Sequence, residues 1–197
     1  MNLRPAAGAT RLDPNEIAGL RLTSIVTQGE LDAFEQANIV EAERWALKTG
    51  RKRPAVDLLT DAYIRQLHRR MFGQVWQWAG TYRKTDKNIG RPWTQIPAQT
   101  RNLCDDVRHW IDNQTYPWDE LGARFHHRLV FIHPFPNGNG RHARLMTDVL
   151  LHTCGQPLFT WGSRSHAAPA DVRDRYLAAL RAADARDHAP LLAFVRS

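Results

Sequence analysis

Cysteine is scarce in this chain. Cys104 and Cys154 are the two it has in 197 residues, and they form no CxxC pair. That excludes a disulfide framework and a thiolate metal site, and it points to a reducing compartment. Long apolar runs are missing too. No stretch approaches the roughly 20 apolar residues needed to span a bilayer, and the opening MNLRPAAGATRLDPNE lacks the apolar centre of a secretion signal. The expectation is a cytoplasmic protein with no membrane contact. Acidic residues are in short supply, 20 Asp and Glu against 27 Lys and Arg, a net charge of +7. The surplus is mostly arginine, whose planar fork matches phosphate oxygens. No recognition helix or RNA-binding signature accompanies that charge, which argues against nucleic acid and leaves a nucleotide as the phosphate-bearing partner. Internal repeats, a Walker GxxxxGK[ST] loop and an HExxH zinc motif are absent as well.

What is present reads as one mainly helical domain of nearly all-α class. Residues 1–15 form a loose leader broken by Pro5, Gly8 and Pro14, residues 16–54 an N-terminal segment, and residues 55–197 the core with its C-terminal helices. TQGELDAFEQANIVEAERWALKTG reads as a long helix stopped at Gly50. LLTDAYIRQLHRRMFG reads as a second, with Thr60 as N-cap and Gly73 at its end. QVWQWAGTYRKTDKNIGRPWTQIPA is aromatic, then rich in turn residues, and its later part predicts a short hairpin or an extended flap. QTRNLCDDVRHWIDN and WDELGARFHHRLVFI carry apolar residues at helical spacing. Helices near 169–184 and 188–196 close the chain. The seven tryptophans are expected to pack in the core and under the flap.

The chemistry is concentrated in HPFPNGNGRHAR, residues 133–144. Pro134 and Pro136 disfavour helix, so the incoming helix should end near His133. Gly138 and Gly140 permit backbone conformations closed to other residues, and helix resumes at about Arg141. A glycine-rich turn entering a helix N-terminus presents backbone N–H groups to an anion. Arg141 and Arg144, three apart, share a helix face. His133 is the obvious general base beside them. The pattern predicts a polyphosphate held on a loop with a base at its edge.

This stretch resembles the signature of the Fic family, HPFx[D/E]GNGRxxR, and VWQWAGTYR (75–83) is similar to the family's core upstream of its flap. The chain further resembles the Fic subgroup called mobile mystery protein B, through EQANIVEAERWA, KNIG, FHHRLVFIHPFPNGNGRHARLM and FTWG. The resemblance implies an all-α, mainly helical Fic fold with a short β-hairpin flap. It also implies a protein adenylyltransferase that moves AMP from ATP to a Ser, Thr or Tyr hydroxyl of a target protein. His133 would deprotonate that hydroxyl. Gly138, Asn139 and Gly140 would line the anion nest, Arg141 and Arg144 would hold the phosphates, and Phe135 would anchor the loop. The flap, around residues 85–96 with Lys87, Asn88 and Ile89, would dock the target's backbone by β-pairing and help cover the nucleotide. ATP would be the substrate, with Mg²⁺ or Mn²⁺. The subgroup's name implies carriage on mobile elements, a toxin-like role, and a regulatory partner encoded by an adjacent gene.

Two features qualify the resemblance. The acidic, metal-binding position of the signature is Asn137, which offers a cation an oxygen without charge. Slow AMP transfer, other nucleotidyl or phosphate transfer, AMP removal, or nucleotide binding without catalysis all stay open on that account. The second feature lies in the long helix. Leu31, Phe34, Asn38, Glu41 and Trp45 recur at +3 and +4 and predict one buried stripe. A carboxylate there needs a cation. Many Fic proteins carry an inhibitory glutamate that pairs with the second signature arginine, so Glu41 is expected to pair with Arg144 and restrain activity.

Overall fold

A computed structural model of the chain describes residues 13–21, 27–51, 53–165 and 168–197. Local capping chemistry sets most helix ends. Asp13 opens α1 (Pro14–Ile17), its N–H donating to Glu16 Oε2 at 2.7 Å. Thr27 caps α2 (Gln28–Gly50) by accepting the Glu30 N–H on its hydroxyl. α3 (Ala55–Leu58) precedes α4 (Asp61–Phe72), which Thr60 caps through the Tyr63 N–H at 3.1 Å. A 3₁₀ turn, Trp93–Gln95, leads into α5 (Ile96–Asp112). α6 (Trp118–Ile132) stops at His133, and α7 (Asn139–Thr153) starts beyond the glycines. α8 (Pro169–Asp184) and α9 (Ala189–Val195) begin at prolines in their first turns. Among the described residues, no helix is long and apolar enough to cross a membrane.

α2 lies against α4 and α7, α6 against α5, α7 and α9, and α8 against α9. The main core is built around Phe72, Trp76, Phe125 and Phe135, all fully buried. A second cluster on the other side of α6 and α7 joins Ala123, Leu151, Phe159, Tyr176, Leu191 and Phe194.

Three expectations need correction. The first concerns the leader: residues 13–17 cap and form α1, while residues 1–12 lie outside the described residues. The second is the buried face of α2. It runs through Leu31, Glu35, Ala42, Ala46 and Gly50, while Phe34 is 48% exposed and Glu41 is exposed. Small side chains decide this. Ala42, Ala46 and Gly50 let α2 approach α4 and α7 closely, and a Cβ on Gly50 would meet Thr153 Oγ1 at 2.7 Å. Trp45 is left at the edge of that seam, stacked on Tyr63 and carrying the Arg70 guanidinium 3.9 Å over its ring.

The third is the flap. No β-hairpin occurs among the described residues, where the one bridge is an isolated antiparallel contact between Leu20 and Trp76. Residues 81–92 form an irregular loop. Its backbone bonds run to the end of α6 rather than across a hairpin: Arg83 N–H donates to Pro134 O at 3.0 Å and Arg91 N–H to Ile132 O at 3.3 Å.

Candidate active site

Three consecutive carbonyls at the end of α6 would be left without helical partners. The 83–91 loop receives all three. Ile132 O and Pro134 O take the backbone N–H groups just described, and His133 O takes Arg83 Nε at 2.7 Å. His133 itself sits at φ 55°, ψ 59°, in the left-handed region; Pro134 ends the right-handed helix before it but favours extended backbone there, so the contacts to the 83–91 loop must hold this conformation. The ring is buried, 5% exposed. Burial first, and the Arg83 charge second, push its pKa down to about 4. The imidazole is therefore neutral at pH 7, the form that a general base needs, and the same burial makes it a weaker base than a free histidine.

The loop after His133 is fixed from both sides. Asn139 Oδ1 accepts the Phe135 N–H at 2.9 Å, and its Nδ2 donates to Phe135 O at 2.8 Å. The Asn139 side chain thus shapes the loop, and its backbone lies at the start of α7. Below the loop, His68 stacks on Phe135 with ring centroids 3.7 Å apart. Gly80 donates its N–H to His68 Nδ1 at 3.0 Å, so the ring proton lies on Nε2, which donates to Asn137 O at 3.1 Å. Gly138 holds φ 77°, and a Cβ there would lie 2.6 Å from the Phe72 ring. Gly138→Ala is expected to cost about 2–4 kcal/mol of stability, from left-handed strain plus overpacking. A urea-midpoint shift worth less than about 1 kcal/mol would contradict this. Gly140 is different. A Cβ there would meet only Tyr176 Oη, at 3.7 Å, so the first turn of α7 stays open to a backbone-bound ligand.

The two signature arginines diverge. Arg144 places its guanidinium 5.5 Å over the Tyr176 ring of α8. Arg141 lies over Phe72 and donates from Nη1 to Glu35 Oε2 at 2.6 Å. Glu35 is 5% exposed, and its other oxygen accepts Trp76 Nε1 at 2.6 Å. Glu41 does not reach Arg144. Its side chain is 72% exposed and bonds Arg44 of its own helix at 2.8 Å. Sequence reasoning missed Glu35, although its spacing from Leu31, Ala42 and Ala46 follows the small-residue seam of α2.

The flap residues also separate. Lys87 has a side chain only 4% exposed and donates from Nζ to Asp13 Oδ2 at 2.8 Å and Glu16 Oε2 at 2.6 Å, facing α1 rather than a partner. Asn88 and Ile89 are exposed. Asn137 Oδ1 accepts the Gly138 N–H at 2.5 Å. Among the described residues no three His, Cys, Asp or Glu side chains converge on a metal-sized site. The loop offers a divalent cation one neutral oxygen and no carboxylate, so these residues alone do not fit a resident metal.

Known proteins resemble the chain in sequence and fold. The profile of the Fic/DOC family matches residues 58–151. Protein adenylyltransferase fic-1 of Caenorhabditis elegans is 32% identical over 136 residues, 67% of this chain and 25% of that protein. Protein adenylyltransferase Fic of Drosophila grimshawi is 31% identical over 137 residues, 67% of this chain and 27% of that protein. The chain thus spans about a quarter of the length of these curated relatives. A Fic domain containing signaling protein from Bacteroides thetaiotaomicron superposes with a TM-score of 0.66 at 23% identity, covering 89% of this chain and 71% of that one. A solved fragment of Fic-1 from C. elegans gives 0.64 at 25% identity, covering 91% and 51%.

Proposed function

Since residues 58–151 form a Fic/DOC family domain, we propose that this chain transfers AMP from ATP to a hydroxyl of a target protein, and that Glu35 restrains the transfer. The observation that carries the first part is the neutral, buried His133 held at the mouth of the loop that leads into α7. The imidazole takes the proton of a Ser, Thr or Tyr hydroxyl. The hydroxyl oxygen forms its bond to the α-phosphorus, the bond from that phosphorus to the α–β bridging oxygen breaks, and pyrophosphate leaves. The N-terminus of α7 and the guanidinium groups of Arg141 and Arg144 hold the phosphates, which is where such a reaction needs positioning and charge. The exposed part of the 81–92 loop, with Asn88 and Ile89, is the face that meets the target.

The restraint follows from occupancy. A phosphate that uses Arg141 Nη1 competes with the Glu35 carboxylate, whose charge also offsets that of the guanidinium and whose other oxygen holds Trp76. This moves the inhibitory role from Glu41 to Glu35, the first residue of the EQANIVEAERWA stretch that carries the subgroup resemblance. A second reading, nucleotide binding with weak or redirected transfer, is favoured by the neutral Asn137, whose amide oxygen is engaged by Gly138.

The test uses α-labelled ATP, the full chain and a lysate as acceptor. Glu35→Gly is expected to raise label incorporation about tenfold or more over wild type, an effect equivalent to removing one charge-assisted bond at the phosphate site. Equal label in both forms would remove Glu35 from the scheme. ATP binding without label in either form would favour the second reading.

A further inference from the structure

Arg83 is a buried cation that faces carbonyls. Its side chain is 0% exposed, and the Asp86 carboxylate stands 3.7 Å from Nη1, outside hydrogen-bond range. Its nitrogens are divided among three chain segments. Nε donates to His133 O at 2.7 Å, Nη1 to Thr85 O at 2.7 Å, and Nη2 to Arg91 O. Its backbone N–H adds a fourth bond, to Pro134 O. A buried guanidinium is costly unless its donors are used, and here each of its nitrogens is engaged at the point where the 83–91 loop meets the end of α6.

We infer that Arg83 is the positioning residue for His133, tying the carbonyl of the base to both ends of the loop that covers it. This inference rests on the reading of His133 as the base. The argument is geometric. His133 adopts a left-handed backbone that a non-glycine residue holds only when its surroundings over-determine it. The bond from Arg83 to His133 O fixes the peptide plane that follows, and the bonds from Arg83 N–H and Arg91 N–H fix the planes on either side. Gly90 closes the arrangement. It holds φ 96°, and a Cβ there would lie 2.5 Å from His133 Cβ and 3.0 Å from Arg83 Nη2. The loop therefore packs on the base with no room to spare. Lysine cannot replace Arg83, since one ammonium on a flexible stem cannot reach three carbonyls in a fixed plane.

The experiment compares Arg83→Lys and Gly90→Ala with the parent chain in the Glu35→Gly background. Three readouts are taken: ATP affinity by calorimetry, kcat and KM for AMP transfer, and the imidazole resonances of the histidines. Both variants are expected to bind ATP within about twofold of the parent and to lose about 10- to 100-fold in kcat with KM for ATP little changed, the effect of misplacing a catalytic group by about 1 Å. The His133 resonance should move while that of His126, on the same helix, stays. Rescue of kcat by Arg83→Lys, or a His133 resonance that stays in place in both variants, would overturn the inference. Should Arg83→Lys not fold, Gly90→Ala decides, because its added Cβ presses on His133 Cβ and Arg83 Nη2 while leaving the guanidinium in the chain. His133→Ala separates the two readings: if it too transfers AMP at the parent rate, the proposed function fails and not merely the role of Arg83. The resonances judge the positioning even if no form transfers AMP.

Discussion

Acidification from pH 6.5 to 4.5 is expected to unfold this protein, with a net uptake of about three protons in the transition. Four histidines are buried in neutral form. Burial holds His68 well below its usual pKa, His126 at about 3, and His133 and His142 at about 4. Their hydrogen bonds explain why a second proton is refused. His68 Nδ1 already accepts from Gly80, so a proton there would face an N–H. His142 Nε2 donates to Ile64 O in a fully buried site. His126 shares Nε2 with Tyr176 Oη and lies near the Arg144 charge.

The sign runs one way for all four. A histidine whose folded pKa is depressed contributes stability that is present above about pH 6.5 and is lost as pH falls toward the folded value, because the unfolded chain binds protons first. Each is worth about 1.4 kcal/mol per pH unit within that window. Asp148 opposes them. Burial raises its carboxyl to about 7, so the folded state takes up that proton first, and its stabilising contribution grows as pH falls from 7 toward 4. Four protons against one leaves a slope of about 4 kcal/mol per pH unit near pH 5, enough to exhaust the roughly 5–15 kcal/mol of an ordinary domain within two or three units. Urea midpoints at pH 7, 6, 5.5 and 5 check it. A midpoint that is flat over that range would show that the buried rings take up protons without cost.

His133→Ala is expected to lower AMP transfer by a factor of about 10² to 10⁴, the usual yield of a positioned base. The ring is not among the phosphate-binding groups, so ATP affinity should stay within about twofold. The same substitution has a second signature. Removing one depressed histidine should make the acid slope shallower by about 1.4 kcal/mol per pH unit near pH 5. Transfer measured in the Glu35→Gly background, together with calorimetric ATP binding, checks the first part. Transfer that survives the loss of the ring would mean that the proton leaves by another route and that His133 is structural.

Much of the helical frame was legible because helix ends are local decisions. Thr60, Gly73, the prolines after His133 and Pro169 stop or start the chain by their own backbone chemistry, whatever lies opposite. The face of α2 was not legible in that way. Two stripes overlap on it, one with Phe34 and Trp45 and one with Glu35, Ala42 and Ala46. The choice between them depends on partners far along the chain, the small-residue seam against α7 and the donors Trp76 and Arg141. Hydrophobicity favoured the stripe with larger side chains, while close approach favoured the other. The 81–92 loop failed for a related reason. Its glycine and proline, Gly90 and Pro92, fit a hairpin, but the carbonyls left over at the end of α6 compete for its amides, and Arg83 completes that arrangement from inside. The Asn139 side chain was not legible either: the motif placed the residue in the nest, and only the folded loop shows its amide spent on Phe135.

The border of the family match and the border of the folded unit do not coincide. The match stops at Leu151, and Leu151 is itself packed in the second cluster, against Phe159 and the residues of α8 and α9. An excised piece limited to residues 58–151 would leave Ala123 and Leu151 facing water, His126 without Tyr176 and Arg141 without Glu35. The signature helix α7 is gripped from two sides, by α2 through Arg141 and by α8 through the Tyr176 ring under Arg144. What is inherited as one recognisable unit is mechanically the middle of a vice, and both jaws lie outside it.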